Sequence, residues 1–115
     1  MEKNLEMNEL EIRKLIKSVI RKELESEGFK VKSIILFGSR ARGDYDDYSD
    51  WDIFVVVDKK LDFPRKRKIA SKIRRKLAMF DIAIDIIIKS ERDVEIQKNN
   101  VGYITYYALR EGVKL

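Results

Sequence analysis

Two short runs rich in β-branched residues, Val31 to Phe37 and Trp51 to about Asp58, are separated by a polar link that begins Gly38-Ser39 and closes on Asp50-Trp51-Asp52. Runs of this length and composition, bounded by turn residues, predict strands. The link holds about a dozen residues, close to the minimum for a parallel crossover, so the two strands should be antiparallel. That pairing sets the glycine-serine turn beside the two acids. A third apolar run, Ala83 to Lys89, follows a helical stretch from Pro64 to Phe80, where Ile69, Ile73, Leu77 and Phe80 share one side. A helical connection of this length suits a right-handed parallel crossover, which aligns the start of the third strand with the start of the second. The expected core is a small mixed three-stranded sheet of α/β (α+β) class. Ile12, Leu15, Ile16, Val19, Ile20 and Leu24 predict an amphipathic helix over Asn8 to Glu27, ended by Gly28. Ser90 caps a short helix from Glu91 to Lys98, and a last helix runs from Val101 to Glu111, closed by Gly112. With no repeat or break in composition, residues 1–115 read as a single domain.

Side chains two apart on a strand share a face, so Asp50 and Asp52 can converge on one cation. Asp85 interrupts the otherwise apolar A-I-D-I-I-I-K and arrives beside them through the parallel crossover. A carboxylate buried there without a partner would cost roughly several kcal/mol, so a metal ligand explains it better than the competing use, an ion pair with a lysine or arginine of the basic helix. Three neighbouring acids raise one another's pKa unless a divalent ion sits among them. Mg²⁺ fits best, since it prefers oxygen ligands and is commonly shared between a few carboxylates and substrate phosphates. Two such ions would divide the work between the attacking oxygen and the leaving pyrophosphate. The chain has no His and no Cys, which removes histidine bases, Ser-His-Asp triads, thiolate nucleophiles and zinc-cysteine sites. Gly38 and Ser39 can hold triphosphate oxygens through backbone N–H groups and the Ser39 hydroxyl. Arg40 and Arg42 are candidate phosphate clamps, with ion pairs to Asp44 or Asp46 as the competing use. Asp44, Asp46 and Asp47 read as a solvated loop, and Asp81 as a turn residue at a helix-to-strand junction.

The net charge of +5, from 25 basic and 20 acidic residues, favours anionic partners without naming one. Much of the excess lies in Arg65, Lys66, Arg67, Lys68, Lys72, Arg74, Arg75 and Lys76, a helix with no acid between Pro64 and Phe80. It can form a solvated face or grip RNA, an acidic partner or a triphosphate tail. Tyr103, Tyr106 and Tyr107 pack under the sheet or present an aromatic patch, and Trp51 belongs to the core. No apolar run reaches the ~20 residues of a membrane span, and Met1 to Glu11 lacks a signal peptide's apolar centre, so the expected compartment is the cytoplasm. Abundant Lys, Glu and Ile resemble heat-adapted compositions.

The sequence G-S-R-A-R-G followed by S-D-W-D, with a lone Asp85 in a later apolar strand, resembles the minimal nucleotidyltransferases of the DNA polymerase beta-like nucleotidyltransferase superfamily. The similarity covers Ile34 to Lys89 and, more loosely, the closing A-L-R-E-G-V-K-L. It implies an α/β core that transfers a nucleoside monophosphate, AMP from ATP, from a magnesium-bound triphosphate to an acceptor. By that motif Gly38 and Ser39 hold the triphosphate, while Asp50, Asp52 and Asp85 bind metal. Members of this size are often encoded beside a helical HEPN ribonuclease, and in such toxin-antitoxin pairs the small transferase is the antitoxin. It acts by adenylylating a tyrosine of the toxin, by forming a complex with it, or by both. The partner's R-x-x-x-x-H type site needs histidine, so this chain corresponds to the transferase half. The alternatives are a non-catalytic antitoxin and an RNA-directed nucleotide adder.

Overall fold

The computed structural model describes residues 7–115; the expectation about the first residues, Met1 to Glu11, lies partly outside that range. The chain runs α1 (Glu9–Ser26), β1 (Val31–Phe37), α2 (Ser39–Arg42), β2 (Trp51–Val57), α3 (Phe63–Ala78), β3 (Ile84–Ser90), α4 (Glu91–Gln97), α5 (Ile104–Glu111) and β4 (Val113–Lys114). Asn8 and Glu11 form a reciprocal capping box at the start of α1, with the Glu11 N–H donating to Asn8 Oδ1 at 2.8 Å and the Asn8 N–H to Glu11 Oε1 at 2.9 Å. Gly28, at φ +90°, turns the chain out of that helix. Asp62 caps α3 and Pro64 lies in its first turn, where a missing N–H costs nothing.

The sheet order is β3-β2-β1-β4. β1 and β2 are antiparallel, with Phe37 opposite Asp52, and β2 and β3 are parallel, with Asp52 opposite Asp85. Both orientations agree with the link lengths. The expected three strands become four, because Val113 and Lys114 pair with Leu36 and Ile35 on the outer side of β1. Two residues carry no periodic signal, which is why the fourth strand is silent in the sequence. Gly112 permits the return: a Cβ there would overlap the Ala108 carbonyl and the Ile35 side chain.

One face of the sheet carries the main core. Ile34 and Leu36 of β1, Ile53, Val55 and Val57 of β2, and Ile86 and Ile88 of β3 pack there against Ile16, Ile20 and Leu24 of α1 and Ile69, Ile73 and Leu77 of α3. Trp51 is buried in the same cluster, as expected. Glu23 is buried between the two helices and paired with Lys76, and with Lys72 at 3.7 Å. The opposite face is covered more thinly: Ile35, Phe54 and Val56 meet Ala108 of α5, with Phe37, Ile87 and Val94 at the margin. β2 is therefore apolar on both faces, as a central strand must be. The end of the second face, where β2 and β3 begin, is left open. No described helix is long and apolar enough to cross a membrane.

Candidate active site

Gly38 ends β1 with φ 73° and ψ −156°, a region open essentially to glycine alone, and it serves as the N-cap of α2. A Cβ on Gly38 would overlap Asp52 Oδ2 and stand 3.0 Å from its Cγ. The missing side chain is thus the space the Asp52 carboxylate occupies. The Ala41 and Arg42 N–H groups return to the Gly38 carbonyl at 3.1 Å each, closing one helical turn. The first N–H groups of such a turn have no partner within the helix and point out of its N-terminal end. Turn and acid therefore share one small volume at the open sheet end.

Asp52 and Asp85 are direct neighbours across the parallel pair, on the face that α1 and α3 do not cover. Asp52 is half-buried, whereas Asp50 and Asp85 are exposed. Burial raises the Asp52 pKa above the ordinary carboxylate range, the charges of Asp85 and Asp50 raise it further, and Arg42 opposes them. The site is thus a local excess of negative charge. The expectation of a buried Asp85 is corrected: alternation along β3 turns Ile84, Ile86 and Ile88 into the core and Asp85 outward. Its position at the open end, facing a second acid, is what distinguishes it from a solvated surface residue. Among the described residues no three His, Cys, Asp or Glu side chains gather closely enough to hold a metal ion, so the expected convergence of Asp50, Asp52 and Asp85 narrows to the adjacent pair Asp52 and Asp85, with Asp50 exposed just before β2. Mg²⁺ commonly takes only one or two protein carboxylates and completes its shell with water and phosphate.

The two arginines divide. Arg40 lies over the Trp51 ring at 4.4 Å and the Tyr45 ring at 4.6 Å, and donates from Nε to the Ser49 carbonyl at 3.0 Å and from Nη2 to the Asp46 carbonyl at 3.3 Å. Its guanidinium braces the link between α2 and β2 instead of standing free over the turn. Arg42 is half exposed, 3.4 Å from Asp44 and 3.7 Å from Glu111 of α5, and its charge is felt at Asp52. Asp44, Asp46 and Asp47 are exposed, as the solvated-loop reading requires. Asp81 is a turn residue with φ 59°. Tyr45, which sequence reasoning passed over, donates to Glu9 Oε1 at 2.6 Å and ties the link to the start of α1. Glu111 was missed as well, since only the tertiary fold brings α5 next to Arg42. Tyr103 and Tyr107 are about two-fifths exposed rather than packed under the sheet; α5 seats itself through Thr105 and Ala108.

Sheet, turn and acids together define a small α/β domain of the nucleotidyltransferase kind, with its charged cluster open to solvent. The chain belongs to the polymerase beta nucleotidyltransferase family, whose model matches residues 14–112. Two similar proteins are designated "putative" in their names. A protein adenylyltransferase of Methanocaldococcus jannaschii is 42% identical over 59 residues, covering 51% of this chain and 60% of that relative's length. A crystal structure of a nucleotidyltransferase from Sulfolobus solfataricus matches with TM-score 0.60 and 25% identity, covering 91% of this chain and 79% of that one. A third match, at TM-score 0.52 and 23% identity over 89% of this chain and 70% of the other, is in the structure of a tri-AMPylated Shewanella oneidensis HEPN toxin in complex with MNT antitoxin. At that identity the likeness concerns the fold.

Proposed function

We propose that this chain is a minimal nucleotidyltransferase that uses ATP and Mg²⁺ to place AMP on a tyrosine of a HEPN-type toxin in the cytoplasm, and so acts as its antitoxin. The observation that carries this reading is the register that sets Asp52 beside both Asp85 and the Gly38 turn. Gly38 and Ser39 receive the β- and γ-phosphates on backbone N–H groups and the Ser39 hydroxyl, while Arg42 contributes positive charge at the rim. Asp50, Asp52 and Asp85 are the residues that would hold Mg²⁺, one ion or two. Bound Mg²⁺ would neutralise the triphosphate and favour the ionised acceptor oxygen. The acceptor oxygen forms a bond to the α-phosphorus, the bond between α-phosphorus and bridging oxygen breaks, and pyrophosphate leaves. The phenol proton passes to a carboxylate of the cluster or through it to water. The open sheet end leaves room for a protein acceptor. The M. jannaschii relative's name and the AMPylated toxin in the S. oneidensis complex support the choice of protein over RNA as acceptor.

The test is transfer of label from α-labelled ATP to a HEPN protein. Transfer should require a divalent cation and fall by about 10³-fold or more in Asp50→Asn with Asp52→Asn, because the metal-held charge stabilisation is lost. Undiminished transfer in that variant, or none with any divalent cation, would sink the proposal. Neutralisation by complex formation alone is the second reading, favoured by the exposed apolar residues Ile96, Val101, Tyr103, Ile104 and Tyr107 on and around α4 and α5. It predicts full protection of cells by the same double variant.

A further inference from the structure

β3 is an edge strand, hydrogen-bonded to β2 on one side only. The Trp51 N–H donates to the Ala83 carbonyl at 2.9 Å, so the alternation of a parallel pair turns the main-chain N–H and C=O groups of Ile84, Ile86 and Ile88 away from β2, to the free edge. A groove runs along that edge between β3 and α3. Ala70, with Ile86 and Ile88, forms its floor, and Lys66, Arg67, Arg74 and Lys89 form its walls. The helical residues 66, 70 and 74 recur four apart and so line one stripe of α3. A small side chain at the middle of that stripe is what leaves the groove open.

Among the described residues no carboxylate lies within 4.0 Å of any of these four cations, although α3 does form such pairs elsewhere, through Lys72 and Lys76 with Glu23. Lys66 is pushed below the ordinary lysine range by burial, and the Lys89 charge adds to the shift; Asp93 opposes it. The groove thus combines two unmet demands, main-chain groups without strand partners and clustered positive charge with no carboxylate in contact among the described residues. A free phosphate meets only the second. A second copy of this chain, paired edge to edge, would meet the first and worsen the other by bringing like charges together.

We propose that the β3 edge and the α3 stripe form a docking groove for an extended acidic segment of a partner protein, added as a strand beside β3 with its carboxylates against Lys66, Arg67 and Arg74. The surface lies beside β3, on the α3 side of the sheet, and does not depend on the transfer reaction. Alternate residues of the segment face the α3 side, so acids at every second position satisfy the pattern.

The probe is a fluorescein-labelled peptide of alternating Glu and Val, about eight residues long, enough to span β3 at ~3.3 Å per residue. Fluorescence anisotropy with the full chain should show binding in the ~10–100 µM range. Hydrogen exchange should show new protection of the Ile86 and Ile88 amides. Arg67→Glu with Arg74→Glu, checked by circular dichroism for intact folding, should weaken binding at least ~10-fold. A peptide with N-methyl groups on alternate amides, made in both registers so that one version blocks the pairing edge, should weaken it similarly in that version. No binding at millimolar peptide, equal binding of both N-methylated versions, or tighter binding of an RNA oligomer of equal charge would each overturn the proposal.

Discussion

Gly38→Ala is the perturbation that tests most directly how the turn and the acid cluster depend on each other. Two costs follow from the structure. The first is conformational: at φ 73°, ψ −156° a non-glycine residue carries strain of about 1–3 kcal/mol. The second is positional, because the added methyl would occupy the place of Asp52 Oδ2. Asp52 sits on a central strand whose neighbours Trp51 and Ile53 are buried, so the backbone yields little and the carboxylate must rotate away. Displacement of a reacting group by ~1 Å costs about 10²-fold in rate. Gly43→Ala provides the control, since Gly43 also has positive φ, at +90°, but a Cβ there meets nothing within 4 Å. Both variants should lose stability, by about 1–3 kcal/mol or roughly 4–15 °C in Tm, measured by urea and thermal unfolding. Only Gly38→Ala should lose label transfer by about 10²-fold and weaken the response of Tm to Mg²⁺. Equal loss of transfer in the two variants would show that strain alone accounts for it. Full activity in Gly38→Ala would refute the coupling of turn to acid.

Asp52→Asn removes one of the mutually repelling charges, so without divalent cations it should raise Tm at pH 7, while Mg²⁺ should stabilise the wild type and leave the variant unchanged; differential scanning fluorimetry with EDTA and MgCl₂ reads both. Glu23 is held below its ordinary value near 4.5 by its hydrogen bond to Lys76, against the opposing effect of burial. A depressed carboxylate pKa adds stability above the unfolded value and loses it as pH falls through the folded one. Urea unfolding should therefore show stability falling below about pH 4.5, and Glu23→Gln should flatten that slope and cost about 1–2 kcal/mol at neutral pH through loss of a charged hydrogen bond. Arg40→Lys should cost about 1–2 kcal/mol and speed hydrogen exchange over residues 43–50, because a lysine cannot stack on Trp51 and Tyr45 while donating to two carbonyls. Unchanged exchange in that variant would remove Arg40 from its role as a brace.

Sequence alone determined the order and kind of the main elements, because local patterns report local structure. Isoleucine at helical spacing in α1 and α3, β-branched runs in the strands, and Gly28, Pro64 and Ser90 at the boundaries all act within one turn or one strand of their own position. The antiparallel and parallel pairings were equally legible, since link length restricts how two strands can meet. From those pairings came the neighbourhood of Gly38, Asp52 and Asp85. What only the tertiary structure decided depends on partners distant in the chain. Asp85 is exposed because the helices cover the other face of the sheet, which no periodicity in A-I-D-I-I-I-K reveals. Arg40 is committed to the link because Trp51, Tyr45 and two carbonyls surround it, whereas Arg42, two residues on, faces the acids and Glu111. The fourth strand is two residues long and exists only because β1 offers it an edge. Hydrophobic patterning selects which residues are covered by something; the packing of α1, α3 and α5 decides which face that covering reaches, and so where the charge is left open.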